Sequence, residues 1–317
     1  MHTPRPDIGD RVVVRRRNGN HLSDIIGHVL SLHPLIVRPQ KVGGLPSSAP
    51  AITIPDEDIQ VVRRLSPRRI RNSDIRTLER IAAAAFPGTR HEWSSNGQWL
   101  LRAGHGITER SNSAAPLGPS ALYDPLPVAE ILRFYDDAQL PAQILVPDRI
   151  GPRLTHPRWE MGPDILVMTR EVPSSPEALE DLPAPGPGEE LHAASEPSED
   201  WLSLYAFRGT PLPADDGILD GHCAYVHLGE PLRAIARLHL TEGYIGISGV
   251  AVHPEYRGRG LGRALGRGIL RWAAEQKGVE PPHTLYLHVQ EKNTAGRRLY
   301  SSLGFIEHHR HRYARWR

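Results

Sequence analysis

The sequence predicts an α/β protein led by a small all-β segment, and three observations predict it. From residue 222 onward, apolar strand-like runs and helical stretches follow in the order strand, strand, strand, helix, strand, helix, strand. Within that run an apolar strand ends at Pro254, and a loop holding Gly258, Gly260 and Gly262 passes into a helix. Residues 7–65 instead break into short β-type runs separated by Gly, Pro and Asn.

Taken in order, the N-terminal runs are Asp10 to Arg15, Gly27 to Leu32, Leu35 to Arg38, Ala51 to Ile54 and Ile59 to Val62. Five short strands in residues 1–65 have the size of an SH3-like β-barrel. Residues 66–172 read as mixed. A helix spans Asp74 to Ala85, with Ser73 or Asp74 as its N-cap. Gln98 to Arg102 and Gly106 to Thr108 suggest a hairpin around Gly104-His105. A helix over about 127–138 and a strand at Gln143 to Val146 follow. Residues 173–197 are rich in Pro, Ser, Glu and Ala and read as a linker. Residues 198–317 form the last segment. Ser198-Glu199-Asp200 starts a short helix there, and the strands Leu232 to Leu240 and Tyr244 to Val252 meet at a Glu242-Gly243 turn.

One internal echo is present. Arg133-Phe134-Tyr135-Asp136-Asp137 resembles Arg298-Leu299-Tyr300-Ser301-Ser302, and each follows a helical stretch and precedes a strand. The echo is compatible with two related α/β halves and equally with coincidence.

Bulk properties narrow the function classes. The chain has 317 residues, room for two or three domains. No run approaches the ~18–20 apolar residues of a membrane span, and the start has no signal-like apolar core. Cys223 is the only cysteine, which excludes an internal disulfide and a four-thiolate zinc site and fits a reducing cytoplasm. A formal net charge of +2 gives no support to nucleic-acid binding.

The glycine loop carries the chemistry. Leu261, Leu265, Ile269 and Trp272 fall on one face of the helix that follows it. Glycines at a strand-to-helix turn let a ligand approach the backbone, and the first-turn amides beyond them point outward together. Such a helix start suits phosphate oxygens, and Arg257, Arg259 and Arg263 add positive charge. A packing role is the competing explanation for a loop of this kind. A Walker loop is excluded because no Gly-Lys-Ser/Thr follows, and the glycine spacing is not that of a dinucleotide fold.

Arg257, Gly260 and Gly262 resemble the acetyl-CoA signature Arg/Gln-x-x-Gly-x-Gly/Ala of the GNAT N-acetyltransferase superfamily. Asn293, Ala295, Leu299, Tyr300, Leu303, Gly304 and Phe305 resemble the family's closing motif. The resemblance spans about 199–314 and implies a mixed sheet with flanking helices and acetyl-CoA as cosubstrate. It implies cofactor contacts from Val250, Ala251 and Val252 on the strand, from Arg257, Gly258, Arg259, Gly260, Leu261, Gly262 and Arg263 in the loop, and from Asn293 and Tyr300. Nearly the whole chain resembles an actinobacterial GNAT group called N-acetylglutamate synthase-like or histone acetyltransferase. That group joins an SH3-like barrel to a degenerate and a functional GNAT half. Gly97 to Gly104, Arg110 to Ser113 and Glu307 to Tyr313 carry this wider match.

In this setting the family position implies Tyr300 as the acid that protonates the leaving thiolate. The amide of Val252 or a neighbour is the expected polariser of the thioester carbonyl. Asn293 either contacts the cofactor or caps the helix at Thr294. No base stands out: the strand before the loop has no carboxylate, which leaves Glu242 in its turn, Ser248 through water, or His288 on the next strand. His309 and His311 share a strand face that His308 does not, so the histidines read as a terminal strand and no metal is expected. The acceptor is a primary amine, on an amino acid such as glutamate or on a protein. A non-catalytic acyl-CoA sensor is the alternative. The oligomeric state is not encoded in any recognisable feature.

Overall fold

The computed structural model describes residues 6–19, 21–47, 49–66, 70–172, 186, 188–207, 210–211, 222–276 and 283–317. The first five strands are β1 (Arg11–Asn18), β2 (His21–Leu32), β3 (Leu35–Pro39), β4 (Ile52–Ile54) and β5 (Ile59–Arg64). They form one antiparallel sheet in the order β4-β3-β2-β1-β5. Alternation places Val12 and Val14 of β1 in a core with Ile25, Val29, Val37 and Ile54. Arg15 faces outward and pairs with Asp24 at 2.8 Å, so the basic run of β1 is a solvated face. This sheet meets the rest of the chain where Gly9 approaches Ser301 and where Lys41 pairs with Glu171 at 2.5 Å.

The middle of the chain comprises α1 (Asn72–Ala84), β6 (Arg90–Trp93), β7 (Trp99–Ala103), β8 (Ala115–Pro116), α2 (Val128–Asp137), β9 (Gln143–Pro147), β10 (Trp159–Met161) and β11 (Ile165–Glu171). Arg71 is the N-cap of α1, and Asp74 sits one turn inside and accepts from the Arg71 amide. The hairpin is β6 with β7, not a turn at Gly104-His105. Residues 104–114 instead form a loop. Asn112 accepts from the amides of Gly104 and Gly106, an alternative to strand pairing that short polar side chains offer the backbone.

The last part holds β12 (Leu191–Ala194), α3 (Glu199–Leu204), β13 (Ala206–Phe207), β14 (Thr210–Pro211), β15 (Cys223–Leu228), β16 (Ala234–Thr241), β17 (Tyr244–Val252), α4 (Leu261–Glu275), β18 (Thr284–Gln290), α5 (Thr294–Ser302) and β19 (Ile306–Trp316). Most of the region read as a linker lies outside the described residues, but Leu191–Ala194 is an edge strand paired with β15. Backbone hydrogen bonds supply that strand where apolar patterning does not.

The large sheet runs β10-β19-β11-β18-β17-β16-β15-β12, with β9 also paired to β19. Strand β11 therefore lies between β18 and β19, antiparallel to both. Within residues 66–172, β6, β7 and β8 form a three-stranded sheet of their own, while β9, β10 and β11 join the sheet of the final segment. The two echoed sequences end α2 and α5, and the strands that follow those helices, β9 and β19, pair with each other.

Two layers cover the large sheet. On one face α4 packs Leu261, Leu265 and Ile269 against Ile245, Ile247, Leu285 and Leu287. On the other, α1 packs Leu78, Ile81 and Ala82 against Val167 and Tyr286. The period of two in β17 and β18 sends alternate side chains to these layers, so Tyr286 and His288 share the α1 face.

Candidate active site between the diverging strands β17 and β18

Strands β17 and β18 are parallel and paired only from Tyr244↔Thr284 to Ile247↔Leu287. Beyond that point β17 stays with β16 as far as Val252↔Ala234, and β18 stays with β11 as far as Ile165↔Gln290. A gap opens between them. Its cause is local. The β16–β17 register steps from Ile235↔Ala251 to Arg237↔Ser248, so β17 carries one extra residue. Gly249 takes φ +60° there, and the Tyr205 ring fills the place where a Cβ would stand, 2.2 Å away. A bulge of this kind bends its strand and leaves backbone groups outside the ladder. Val250, Ala251 and Val252 are half-buried at the gap.

The glycine loop stands at the end of β17. A short 3-10 turn, Pro254–Tyr256, leads into it, and the Arg257 side chain donates from Nε to the Val252 carbonyl at 3.2 Å. Gly258 and Gly260 have φ of +75° and +81°, and a Cβ on either would meet nothing within 4 Å. Their conformation demands glycine, and the space beside them is open. Gly260 caps α4 without any side-chain hydrogen bond, which leaves the Leu261 and Gly262 amides outside the helix ladder. Arg257, Arg259 and Arg263 are exposed around this start. Gly262 has a second role, since a Cβ there would stand 3.2 Å from Leu299 of α5. These features suit a pyrophosphate held by main-chain amides.

On the α1 face the gap ends in a small pocket lined by Phe86, Arg110, Ser248, Tyr286 and His288. Two buried arginines hold the chain that carries Phe86. Arg102 donates to the Ala83 and Phe86 carbonyls and Arg237 to that of Ala85, so both satisfy acceptors at the C-terminal end of α1. Phe86 is thereby fixed, and Arg110 from the 104–114 loop stacks 4.2 Å from its ring. The Ser248 hydroxyl, the Tyr286 hydroxyl and His288 Nε2 are all buried with no hydrogen-bond partner among the described residues. Three such atoms around one pocket are what a polar ligand would satisfy. Burial, followed by the nearby His311, holds the His288 imidazole well below its ordinary value, so it is neutral.

Behind His288 lies a triad that sequence spacing does not show. Glu79 of α1 accepts from His309 Nε2 at 2.8 Å and from His311 Nδ1 at 2.7 Å. Burial pushes the Glu79 carboxyl up, but the charges and hydrogen bonds of His311 and His309 outweigh it and hold the group well below the carboxylate range. Among the described residues this is the one convergent group of metal-type donors. Its members are joined by hydrogen bonds. The shared face of His309 and His311 follows from period two; their partner Glu79 comes from an element over 200 residues away.

The remaining expected residues fall as follows. Tyr300 sits on α5 against the main core, its ring 6.0 Å from Phe305, and burial pushes its phenol up to about 12. Asn293 caps α5, accepting from the Gly296 amide at 2.9 Å. Glu242 is a correction. Its side chain is exposed and paired with Arg80 at 2.5 Å. It occupies the turn at the paired end of β17, roughly 20 Å of strand from Ser248. Glu242 is held to Arg80 and cannot reach the gap.

A GCN5-related N-acetyltransferase from Kribbella flavida shares the fold, with a TM-score of 0.53 at 17% identity over 75% of this chain and 95% of that one. The family model described as "Probable histone acetyltransferase Rv0428c C-terminal" matches residues 72–314, and the chain belongs to that family. It is 31% identical to "Probable histone acetyltransferase Rv0428c" of Mycobacterium tuberculosis over 97% of this chain and 95% of the relative. It is 28% identical to "Uncharacterized N-acetyltransferase YobR" of Bacillus subtilis over 74% of this chain and 97% of the relative. The chain is therefore a GNAT acetyltransferase drawing on an acyl-CoA donor. None of its described helices is long and apolar enough to cross a membrane.

Proposed function

We propose that the protein moves an acetyl group from acetyl-CoA to a primary amine by direct attack, with both substrates bound together. The observation that carries this reading is the end of β17–β18 pairing at Ile247↔Leu287, next to the uncapped start of α4. The free edge of Ser248 to Val252 suits an extended pantetheine arm added as a strand would be, and the amides of Leu261 and Gly262 suit its pyrophosphate. The Val252 region then offers an N–H to the thioester oxygen. Tyr300 protonates the leaving thiolate. From about 12 to a thiol near ~8.5, that transfer is uphill by roughly 5 kcal/mol, against roughly 2 for an ordinary phenol.

The pocket on the α1 face is the acceptor site in this reading. It has room for little more than one water-sized group, so it can take the amine nitrogen and no more of the acceptor, and a compact amino acid rests on the family resemblance. The name of the Mycobacterium tuberculosis relative keeps a protein amine as the second reading. Neither an acyl-cysteine route nor a sensor role is favoured. Cys223 lies in neither motif and is buried in a cluster with Trp201, Tyr225 and Phe86, and an unpaired polar pocket beside the gap suits turnover. We read residues 1–65 as an SH3-like module, and the α2–β9 and α5–β19 units as equivalent parts of two GNAT-like halves. A thiol-release screen with acetyl-CoA over amino acids, polyamines and basic peptides tests the reading. Turnover confined to small carboxylated amines is expected, and turnover confined to peptides would reverse the acceptor assignment.

A further inference from the structure

We propose that His288 takes the proton from the attacking amine, and that Glu79 positions it for this through His311. The inference rests on the reading of the β17–β18 gap as the acetyl-transfer site, and it supplies the base that no motif provides.

The geometry runs in one line from the core to the pocket. Glu79 is 2% exposed and accepts from His311 Nδ1 at 2.7 Å. Nε2 of His311 is buried without a partner among the described residues, so its link to His288 is a ring contact and not a hydrogen bond. The His311 ring stands edge-on to His288, with centroids 4.8 Å apart and planes at 89°. His288 lines the pocket, and its Nε2 is also buried and unpartnered. A neutral imidazole at an acceptor pocket is in the protonation state a base requires, and the role assigned to it takes the tautomer with the ring proton on Nδ1.

The groups facing His288 are Glu79 from α1, His309 and His311 from β19, Arg110 from the 104–114 loop, and Tyr286 on its own strand. Glu79 is the only anion among them. It favours the imidazolium that would form, while Arg110 and the two histidines oppose it. The step balances. The amine lone pair forms the C–N bond, the carbonyl electrons move to oxygen, and the N–H proton passes to His288 Nε2. The C–S bond then breaks, the thiolate takes a proton from Tyr300, and solvent returns the proton from His288 to Tyr300. Ser248 and Tyr286, with their unpaired hydroxyls, hold the amine against the imidazole.

The test uses the full-length protein with the best amine from the thiol-release screen. His288→Phe should lower kcat at least thirtyfold, leave acetyl-CoA affinity within threefold by calorimetry, and lose the ascending limb of the pH–kcat profile. His288→Ala should regain rate on addition of imidazole. Glu79→Gln should shift the ascending limb to lower pH, because the anion that favours the imidazolium is gone; a purely structural Glu79 would lower the melting temperature and leave the limb in place. Should Glu79→Gln fail to fold, the His288→Phe profile and the imidazole rescue decide the matter alone. Wild-type turnover in His288→Phe would overturn the proposal while leaving the acetyl-transfer reading intact. No thiol release by the wild-type protein with any amine would overturn that reading and this base together.

Discussion

Ile247 and Leu287 are the last pair to join β17 and β18, and the next residue on each strand, Ser248 and His288, faces the same pocket. The bulge at Gly249 separates the strands, and that separation both frees an edge for an extended ligand and gathers the polar groups behind it.

Replacing Gly249 with alanine should destabilise the protein and weaken acetyl-CoA binding together. A side chain at φ +60° costs about 1–2 kcal/mol. Overpacking against the Tyr205 ring, 2.2 Å from the new Cβ, adds about 1–3 kcal/mol. Urea unfolding paired with calorimetry checks this. Full stability in Gly249→Ala would mean that the bulge is not set by this residue.

Tyr300→Phe should lower kcat at least tenfold with acetyl-CoA affinity within a few-fold, since an acid acts in the transition state. With the phenol held up to about 12, no loss of rate from its ionisation is expected below pH 10. Wild-type turnover in Tyr300→Phe would reduce the residue to its contact with Phe305.

Stability should fall on mild acidification. Burial holds His28, His227, His239 and His288 below their ordinary value, with His239 at about 4. In the unfolded chain these rings take up protons as the pH drops through ~6.5, while the folded protein resists, so the unfolded state gains. Glu79 acts in the same direction at lower pH, where protonation removes the acceptor shared by His309 and His311. From pH 7 to pH 5 a loss of about 1–3 kcal/mol is expected from urea midpoints. A midpoint that stays level or rises would contradict the neutral buried histidines.

Deleting residues 1–65 should lower the melting temperature and leave acetyl-CoA binding within a few-fold. Among the described residues its contacts include β2 against α5, Gly9 on Ser301 next to Tyr300, Lys41 on Glu171 of β11, and a pocket that Leu45 and Pro46 share with Tyr244 at the paired end of β17, away from the gap. Exposing that side of α5 should reduce turnover of all amines alike. Loss of acetyl-CoA affinity in a soluble, folded deletion would place part of the donor site within the first sheet.

Much of this was legible in the sequence because it is local. The stripe Leu261, Leu265, Ile269, the positive-φ glycines and the Asn293 cap each depend on a few neighbouring residues. The sharing of one face by His309 and His311 follows from strand periodicity alone. What escaped depends on partners far along the chain. Nothing near Ile165 announces that β11 will lie between β18 and β19, and nothing near Glu79 announces two imidazoles from residues 309 and 311. The middle hairpin was misplaced because Gly104 looks like a turn residue, whereas its amide is held by Asn112 within a loop. Glu242 stands at the start of a strand that has no carboxylate of its own, and the ion pair that holds it comes from Arg80, 162 positions earlier.

The central claim is that the gap beside the glycine loop holds acetyl-CoA, and calorimetry of acetyl-CoA on Gly260→Glu tests it most directly. Gly260 is exposed, has φ +81°, and leaves a new Cβ free of contact within 4 Å, so the variant should fold at a cost of about 1–2 kcal/mol. Its carboxylate would meet the pyrophosphate at the start of α4. The account predicts micromolar binding by the wild-type protein and none measurable by the folded variant, with Gly260→Asn, which tolerates the same φ, retaining most of the affinity. Equal affinity in wild type and folded Gly260→Glu would contradict it.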